Sequence, residues 1–251
     1  MNVKRHTEKK QLPSAVKNAP LAVQINLTEV NVMRCVRIWF SKHGRIKYVS
    51  HLDIMRCMTR AVRRADIPLW YTEGFNPHPY LNFLQPMPLG IEGLNEPLDI
   101  RIEGDITNEE IMDNLNKVLP VGITITKVTE PYMKSNDLAF AEYDVYFEKE
   151  DNLCENLIKA MESGELVCEK AGKVNGRKRI KQVNVSENIK QYSVKENDDC
   201  VVMNVVLPGG NTKNVNPMNL LAGINAYLGT DIVPLNIIRI RLTDANLISF
   251  E

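Results

Sequence analysis

The chain has 251 residues, of which 44% are hydrophobic and 25% charged, as in a globular protein with a sizeable core. Its 31 basic and 31 acidic side chains balance, which excludes a strong overall preference for nucleic acid. The five cysteines form neither a C-x-x-C pair nor the C-x-x-x-C-x-x-C run that ligates an iron–sulfur cluster. With no apolar run of about 18 residues and an odd number of cysteines, we expect a cytoplasmic protein with reduced thiols.

The first half of the chain contains the element order β-α-β-β-α-β. Residues 1–32 are polar and without a clear period, and we expect a flexible leader; Met33 is an alternative start of the protein. Hydrophobic periodicity then predicts strands or extended pieces at 35–40, 69–71, 80–83, 97–102 and 123–128, and helices at 50–65 and 108–119. This order predicts a ferredoxin-like unit over residues 33–131.

The second half repeats this order less regularly. Periodicity predicts strands at 143–147, 200–207 and 235–242, and helices at 153–161 and 217–227. Residues 164–199 show no clear period. We therefore predict an α+β protein with two ferredoxin-like units in tandem, the second irregular, over residues 139–251, with a basic insertion at 170–195.

The helix that begins after Ser50 has two contrasting faces. Ser50 is a good N-cap, and Asp53 follows three residues later. At 100° per residue, one face is apolar and is predicted to pack on the sheet: Leu52, Met55, Met58, Val62 and Ala65. The opposite face collects four arginines: Arg56, Arg60, Arg63 and Arg64. Asp53 is the only acid in this helix, so the arginine face keeps a local positive charge.

This basic face lies in a segment suited to nucleic acid. Residues 34–83 contain nine basic side chains against three acidic ones. Guanidinium groups bind phosphates in pairs of hydrogen bonds, and aromatic rings stack on unpaired bases. The candidate nucleic-acid-binding residues are Arg56, Arg60, Arg63, Arg64, Phe75, Asn76 and Tyr80, with Arg177, Lys178 and Arg179 from the basic insertion. A solvated helix face and a surface for a protein partner are the alternatives.

A candidate acid–base site lies in the same segment. In Asn76-Pro77-His78-Pro79 two prolines stiffen the chain around one imidazole. If this loop folds over the start of the helix, His51, Asp53 and His78 come together, and these three are the candidate catalytic residues. The alternative is a stiff corner with a hydrogen-bonded histidine. No spacing predicts a metal site, and we expect no cofactor.

Several of these motifs resemble the radical-SAM-linked protein family of unknown function. The resemblance lies in Ser50-His51-Leu52-Asp53, the arginines that follow, residues 71–79 and residues 86–90, within a span of about 33–242. It implies a bacterial protein encoded beside, or fused to, a radical SAM protein, with no activity established for the family. A radical SAM protein is therefore the expected partner.

Together these observations predict an RNA-binding adaptor that brings a radical SAM partner to tRNA or rRNA, without catalytic activity of its own and without a membrane association. One alternative is an acid–base enzyme that acts on RNA or on a small phosphorylated substrate. The other is a protein–protein scaffold that binds no nucleic acid.

Overall fold

The computed structural model describes residues 33–174, 177–210 and 213–250, with the backbone alone at 170–174 and 177–179. These residues form an α+β protein. Its helices are α1 (His51–Arg64), α2 (Asn108–Val118), α3 (Leu153–Glu162) and α4 (Pro217–Leu228). Its strands are β1 (Met33–Lys42), β2 (Leu81–Phe83), β3 (Glu92–Glu103), β4 (Ile123–Thr129), β5 (Phe140–Glu148), β6 (Val167–Val174), β7 (Arg177–Asn184), β8 (Gln191–Glu196), β9 (Cys200–Pro208) and β10 (Asn236–Thr243). In this part of the chain no helix has the length and apolarity needed to cross a membrane.

Eight strands form one mixed sheet. The first half contributes β4, β1, β3 and β2 in that order, with antiparallel neighbours. The second half contributes β10, β5, β9 and β8 in the equivalent order, again antiparallel. The strands β6 and β7 form a separate hairpin between α3 and β8. The halves join where β10 runs parallel to the start of β3, through the pairs Ile238–Glu92 and Arg239–Gly93.

Each half has its own hydrophobic core. In the first half α1 and α2 cover the sheet face that carries Val36, Ile38 and Phe40 of β1. In the second half α3 and α4 pack against β5 and β9. Because side chains alternate along a strand, Trp39 points away from the first core and packs into the second. The two cores therefore meet across β1.

The connector between the halves, residues 130–139, is attached to β1 by a buried arginine that also forms an ion pair with β3. Arg37 of β1 donates from Nε to Asp99 Oδ1 at 2.7 Å, and from Nη2 to the carbonyl of Met133 at 2.9 Å. The ring of Phe250 lies 4.9 Å from the same guanidinium group. The sequence places Arg37 on the same face of β1 as Trp39, because side chains two residues apart in a strand point to the same side.

The predicted helices and most predicted strands are confirmed, with ends that differ by a few residues. Residues 164–199, where no element was predicted, contain β6, β7 and β8. The apolar face predicted for α1 was wrong at two positions, because Leu52 is 63% exposed and Met55 36% exposed. Ile54 and Ala61 are buried instead, so the face that contacts the sheet is rotated about the helix axis. The predicted leader, residues 1–32, lies outside the described residues.

Candidate functional site

Hydrogen bonds at the start of α1 occupy Asp53. The Ser50 hydroxyl accepts the Asp53 N–H at 3.2 Å and donates to Asp53 Oδ2 at 2.7 Å. Arg56 Nη1 donates to Asp53 Oδ1 at 3.0 Å. The bond from Ser50, followed by the bond from Arg56, lowers the pKa of Asp53 below its usual value. Asp53 is therefore a carboxylate that is bonded to the N-cap hydroxyl of Ser50 and paired with one arginine.

All four arginines of α1 are exposed. Arg64 donates from Nη2 to the carbonyl of Val118 at 2.9 Å, at the C-terminal end of α2. The guanidinium group of Arg63 lies 5.8 Å from the ring centre of Tyr71. Arg60 has no hydrogen bond or ion pair within the residues that the structure describes. Among the described residues, Asp53 is the one carboxylate that pairs with any of these arginines, and it pairs with Arg56 alone. The helix therefore presents an excess of positive charge to solvent.

A short hairpin, residues 71–79, lies beside this arginine face. It closes through the bridge between Tyr71 and Pro79 and through the Thr72 N–H, which donates to the His78 carbonyl at 2.9 Å. Near its tip Gly74 has φ 132°, a conformation that favours glycine, and the side chain of Phe75 is fully exposed. The contact between Arg63 and Tyr71 brings the hairpin and the arginines onto one surface.

His78 forms local hydrogen bonds inside this hairpin. Its Nδ1 lies 3.1 Å from Thr72 Oγ1 and 3.1 Å from the carbonyl oxygen of Asn76. Its backbone N–H also donates to Thr72 Oγ1, at 3.2 Å. The imidazole is exposed on its other side. The arrangement is that of a stiff corner with a hydrogen-bonded histidine.

Tyr80, predicted to stack on a base, already packs against protein groups. The guanidinium group of Arg101 lies 4.4 Å from the centre of the Tyr80 ring and 5.1 Å from the centre of the Trp70 ring. The two rings meet edge to face, with their centres 6.4 Å apart. Phe75 is thus the more accessible of the two predicted stacking residues.

His51 faces a different part of the molecule from His78. Its half-buried ring meets Phe83 edge to face, with the centres 5.2 Å apart. Burial lowers the pKa of His51, and the positive charges of Lys42 and Arg239 lower it further. No hydrogen bond, ion pair or ring contact joins His51, Asp53 and His78 in the described part of the chain. Nor does that part contain three histidine, cysteine or acidic side chains grouped as a metal ion would require.

Behind His51 lies a buried ion pair that was not predicted from the sequence. Arg239 of β10 donates from Nε to Glu96 Oε1 at 2.8 Å and from Nη2 to Oε2. The side chains are 1% and 2% exposed. The same guanidinium group donates to the carbonyls of Gln85 and Pro86, each at 3.3 Å. The sequence does indicate that Arg239 is buried, because it lies two residues after the buried Ile237 and so on the same face of β10.

Lys42 completes this junction cluster, which we define as Lys42, His51, Gln85, Glu96 and Arg239. Its Nζ donates to the carbonyl of Lys47 at 3.2 Å, in the turn before α1. Burial lowers the pKa of Lys42, and the charge of Arg239 adds to that effect, against the opposing effect of Glu96. A cavity of about 10 Å³ is lined by every member of the cluster except Arg239, together with apolar residues that include Phe83.

The remaining predicted residues, Arg177, Lys178 and Arg179, begin strand β7, where Arg177 pairs with Val174 of β6. Their side chains lie outside the part of the molecule that the structure describes.

Comparisons with known proteins give a family match. A family model described as an uncharacterized protein conserved in bacteria (DUF2344) matches residues 35–217. No curated protein matches.

Two similar solved structures have low sequence identity. One, a crystal structure of a Cbf5-Nop10-Gar1 complex, is 11% identical, with 82% of this chain and 48% of that chain covered and a TM-score of 0.46. The other, an unknown protein from Galdieria sulphuraria, is 10% identical, with 85% and 99% covered and a TM-score of 0.23. The chain spans about half the length of the first, and at these TM-scores neither similarity carries a functional argument.

Proposed function

The chain belongs to a family of uncharacterized proteins conserved in bacteria (DUF2344), and we propose that it binds single-stranded RNA through the arginine face of α1 and the adjoining hairpin 71–79. One observation carries the proposal. Four exposed guanidinium groups with one paired carboxylate adjoin, through the contact between Arg63 and Tyr71, the hairpin that carries the fully exposed ring of Phe75. This combination offers charge to phosphates and a stacking surface to a base.

The geometry of α1 suits a backbone of repeated charges. Arg56, Arg60 and Arg63 follow one another at intervals of about one helical turn, which is about 5.4 Å along the axis. One nucleic-acid strand can therefore contact several of them. Arg64 is less available because its guanidinium group already bonds the end of α2. These contacts with phosphate provide affinity without sequence preference.

Phe75 favours a single strand over a duplex. Its ring is fully exposed, and an unpaired base can cover it. Stacking of this kind contributes about 1–3 kcal/mol per base, and paired bases inside a helix are not free to provide it. Asn76, exposed beside Phe75, supplies an amide for the edge of the same base.

We further propose that the two halves are ferredoxin-like units in tandem, which the repeated strand order supports. In this proposal the protein is a cytoplasmic adaptor that presents tRNA or rRNA to a radical SAM protein encoded nearby. The support is the resemblance of residues 50–79 and 86–90 to the radical-SAM-linked family.

The test compares three proteins for binding of bacterial total RNA, tRNA and a single-stranded oligonucleotide over a series of salt concentrations. They are the wild type, a variant with Arg56, Arg60 and Arg63 changed to Ala, and a matched control with the exposed Lys127, Lys134 and Lys159 changed to Ala. We expect affinity to fall with salt in the wild type and the control. The arginine variant should bind RNA more weakly. The slope of its log affinity against log salt concentration should become shallower by at most about three.

Phe75→Ala tests the stacking contribution separately. It should weaken binding of the single strand about 5- to 100-fold and leave the salt slope unchanged, because no charge is removed. Equal binding by the arginine variant and the lysine control, or no binding by the wild type, would show the proposal to be wrong. Salt-sensitive binding of the radical SAM protein without RNA would then favour a scaffold.

A further inference from the structure

We propose that the cavity in the junction cluster is a binding site for one internal water molecule, which accepts a hydrogen bond from Gln85. Lys42, His51 and Glu96 are the other polar residues that line this cavity, and apolar residues form the rest of its wall. The site lies where the two halves of the molecule meet, behind the first residue of α1. The proposal rests on the geometry of this cluster and is independent of RNA binding.

The amide of Gln85 supplies the first observation. The residue is 4% exposed, and its Nε2 has no hydrogen-bond partner in the part of the chain that the structure describes. Buried polar groups are almost always hydrogen-bonded, because losing the bond to water without replacement is unfavourable. The residue lines the cavity, so a guest there can supply the partner that the protein lacks.

The size and charge of the cavity identify the guest. A volume of about 10 Å³ is the minimum that admits one water molecule, and chloride is larger than water. A cation is disfavoured because Lys42 and Arg239 contribute two positive charges near the single carboxylate of Glu96. A neutral molecule the size of water fits both limits.

Water can also satisfy the hydrogen-bonding groups around it. Gln85 Nε2 donates to the water, and the carboxylate of Glu96 and an unprotonated His51 ring nitrogen are acceptors for its two protons. Internal waters commonly have two to four such partners. The water would therefore bridge the start of α1 to the Glu96–Arg239 pair, connecting the helix with the arginine face to the junction of β3 and β10.

The direct test is NMR detection of water beside the Gln85 side-chain amide in 15N-labelled protein. The Gln85→Met variant assigns that amide resonance, because the resonance is lost. We expect a cross peak between this amide and a long-lived water in the wild type. The amide of the exposed Gln191 is the control, since it should show rapid contact with bulk water alone.

Thermal unfolding gives a second readout, because a water-filled cavity and a dry cavity predict opposite changes in Tm. If water is bound, Gln85→Met removes one of its partners and should lower the Tm by about 2–4 °C, whereas Gln191→Met should leave the Tm unchanged. A dry cavity predicts the reverse, because methionine removes an unpaired donor and the Tm stays or rises. The NMR measurement is the decisive one, and absence of the cross peak would overturn the proposal. A Tm that depends on chloride concentration at constant ionic strength would also overturn it, because the guest would then be chloride.

Discussion

The surroundings of His51 make the stability of the fold depend on pH. Its half-buried ring faces Phe83 on β2, Lys42 on β1 and Arg239 on β10, and burial followed by these two charges lowers its pKa from 6.5. The folded protein thus resists protonation of a ring that the unfolded chain protonates freely near pH 6.5. The unfolded state binds more protons in this range, so stability falls as the pH drops through 6.5 and below.

We therefore expect that His51→Gln flattens the pH dependence of stability. Wild type should lose free energy of unfolding between about pH 7.5 and pH 5.5, while the variant should lose less. Urea unfolding at several pH values measures this. Ser50→Ala is the control, because it removes a helix cap and no titrating group. Equal slopes for wild type and His51→Gln would contradict the expected effect of burial.

Individual residues differ in how far the sequence predicts their surroundings. The exposure of Arg56, Arg60 and Arg63 follows from helical periodicity, which is local information. Glu96 and Arg239 are 143 residues apart in the chain, and they meet because β10 pairs with β3. Strand alternation indicates that Arg239 is buried, but no local rule identifies its partner.

At the scale of elements, α1 shows how a local signal fixes a boundary. Ser50 is the N-cap, and the helix begins at His51, as its sequence predicts. Ser50→Ala should lower the free energy of unfolding by about 1 kcal/mol, because it removes the hydroxyl that accepts from the Asp53 N–H and donates to the Asp53 carboxylate. Ser50→Thr should retain most of the stability. Urea unfolding compares the three proteins, and equal stability of wild type and Ser50→Ala would show that the cap contributes nothing.

The elements that sequence reasoning missed lack such signals. β6 and β7 pair with each other as a hairpin outside the main sheet, and their sequences are rich in lysine and arginine. Without a regularly alternating apolar face, hydrophobic periodicity cannot identify them. The error at Leu52 and Met55 has another cause. Apolar residues outnumber the positions that the sheet covers, so periodicity alone cannot fix the rotation of α1.

At the scale of the whole molecule, the strands of the two halves pair directly over a short stretch. The direct strand pairing between β3 and β10 involves two residue pairs, and the buried Glu96–Arg239 ion pair lies beside them. Gly93 shows how closely these groups pack, because a Cβ at this position would overlap the Glu96 carboxylate. The ion pair is therefore the obvious point at which to weaken the contact between the halves.

Strand β10 carries two arginines that each pair with a glutamate, one buried and one half-exposed. They allow a matched test of what each ion pair contributes to stability. Glu96 pairs with the buried Arg239, and Glu142 pairs with the half-exposed Arg241 at 2.5 Å. Glu96→Gln should cost about 3–5 kcal/mol, because it leaves a buried guanidinium group that cannot lose its proton. Glu142→Gln should cost about 1 kcal/mol or less, because water solvates the remaining charge.

The double variant Glu96→Gln, Arg239→Met separates this charge penalty from simple loss of packing. Removing the unpaired charge should recover part of the stability lost in Glu96→Gln, since a buried ion pair can often be replaced by neutral groups at little cost. Denaturant unfolding of the four proteins measures these differences. If the double variant were less stable than Glu96→Gln, the arginine would contribute to the junction through packing and its bonds to the carbonyls of Gln85 and Pro86, and its pairing with Glu96 would be secondary.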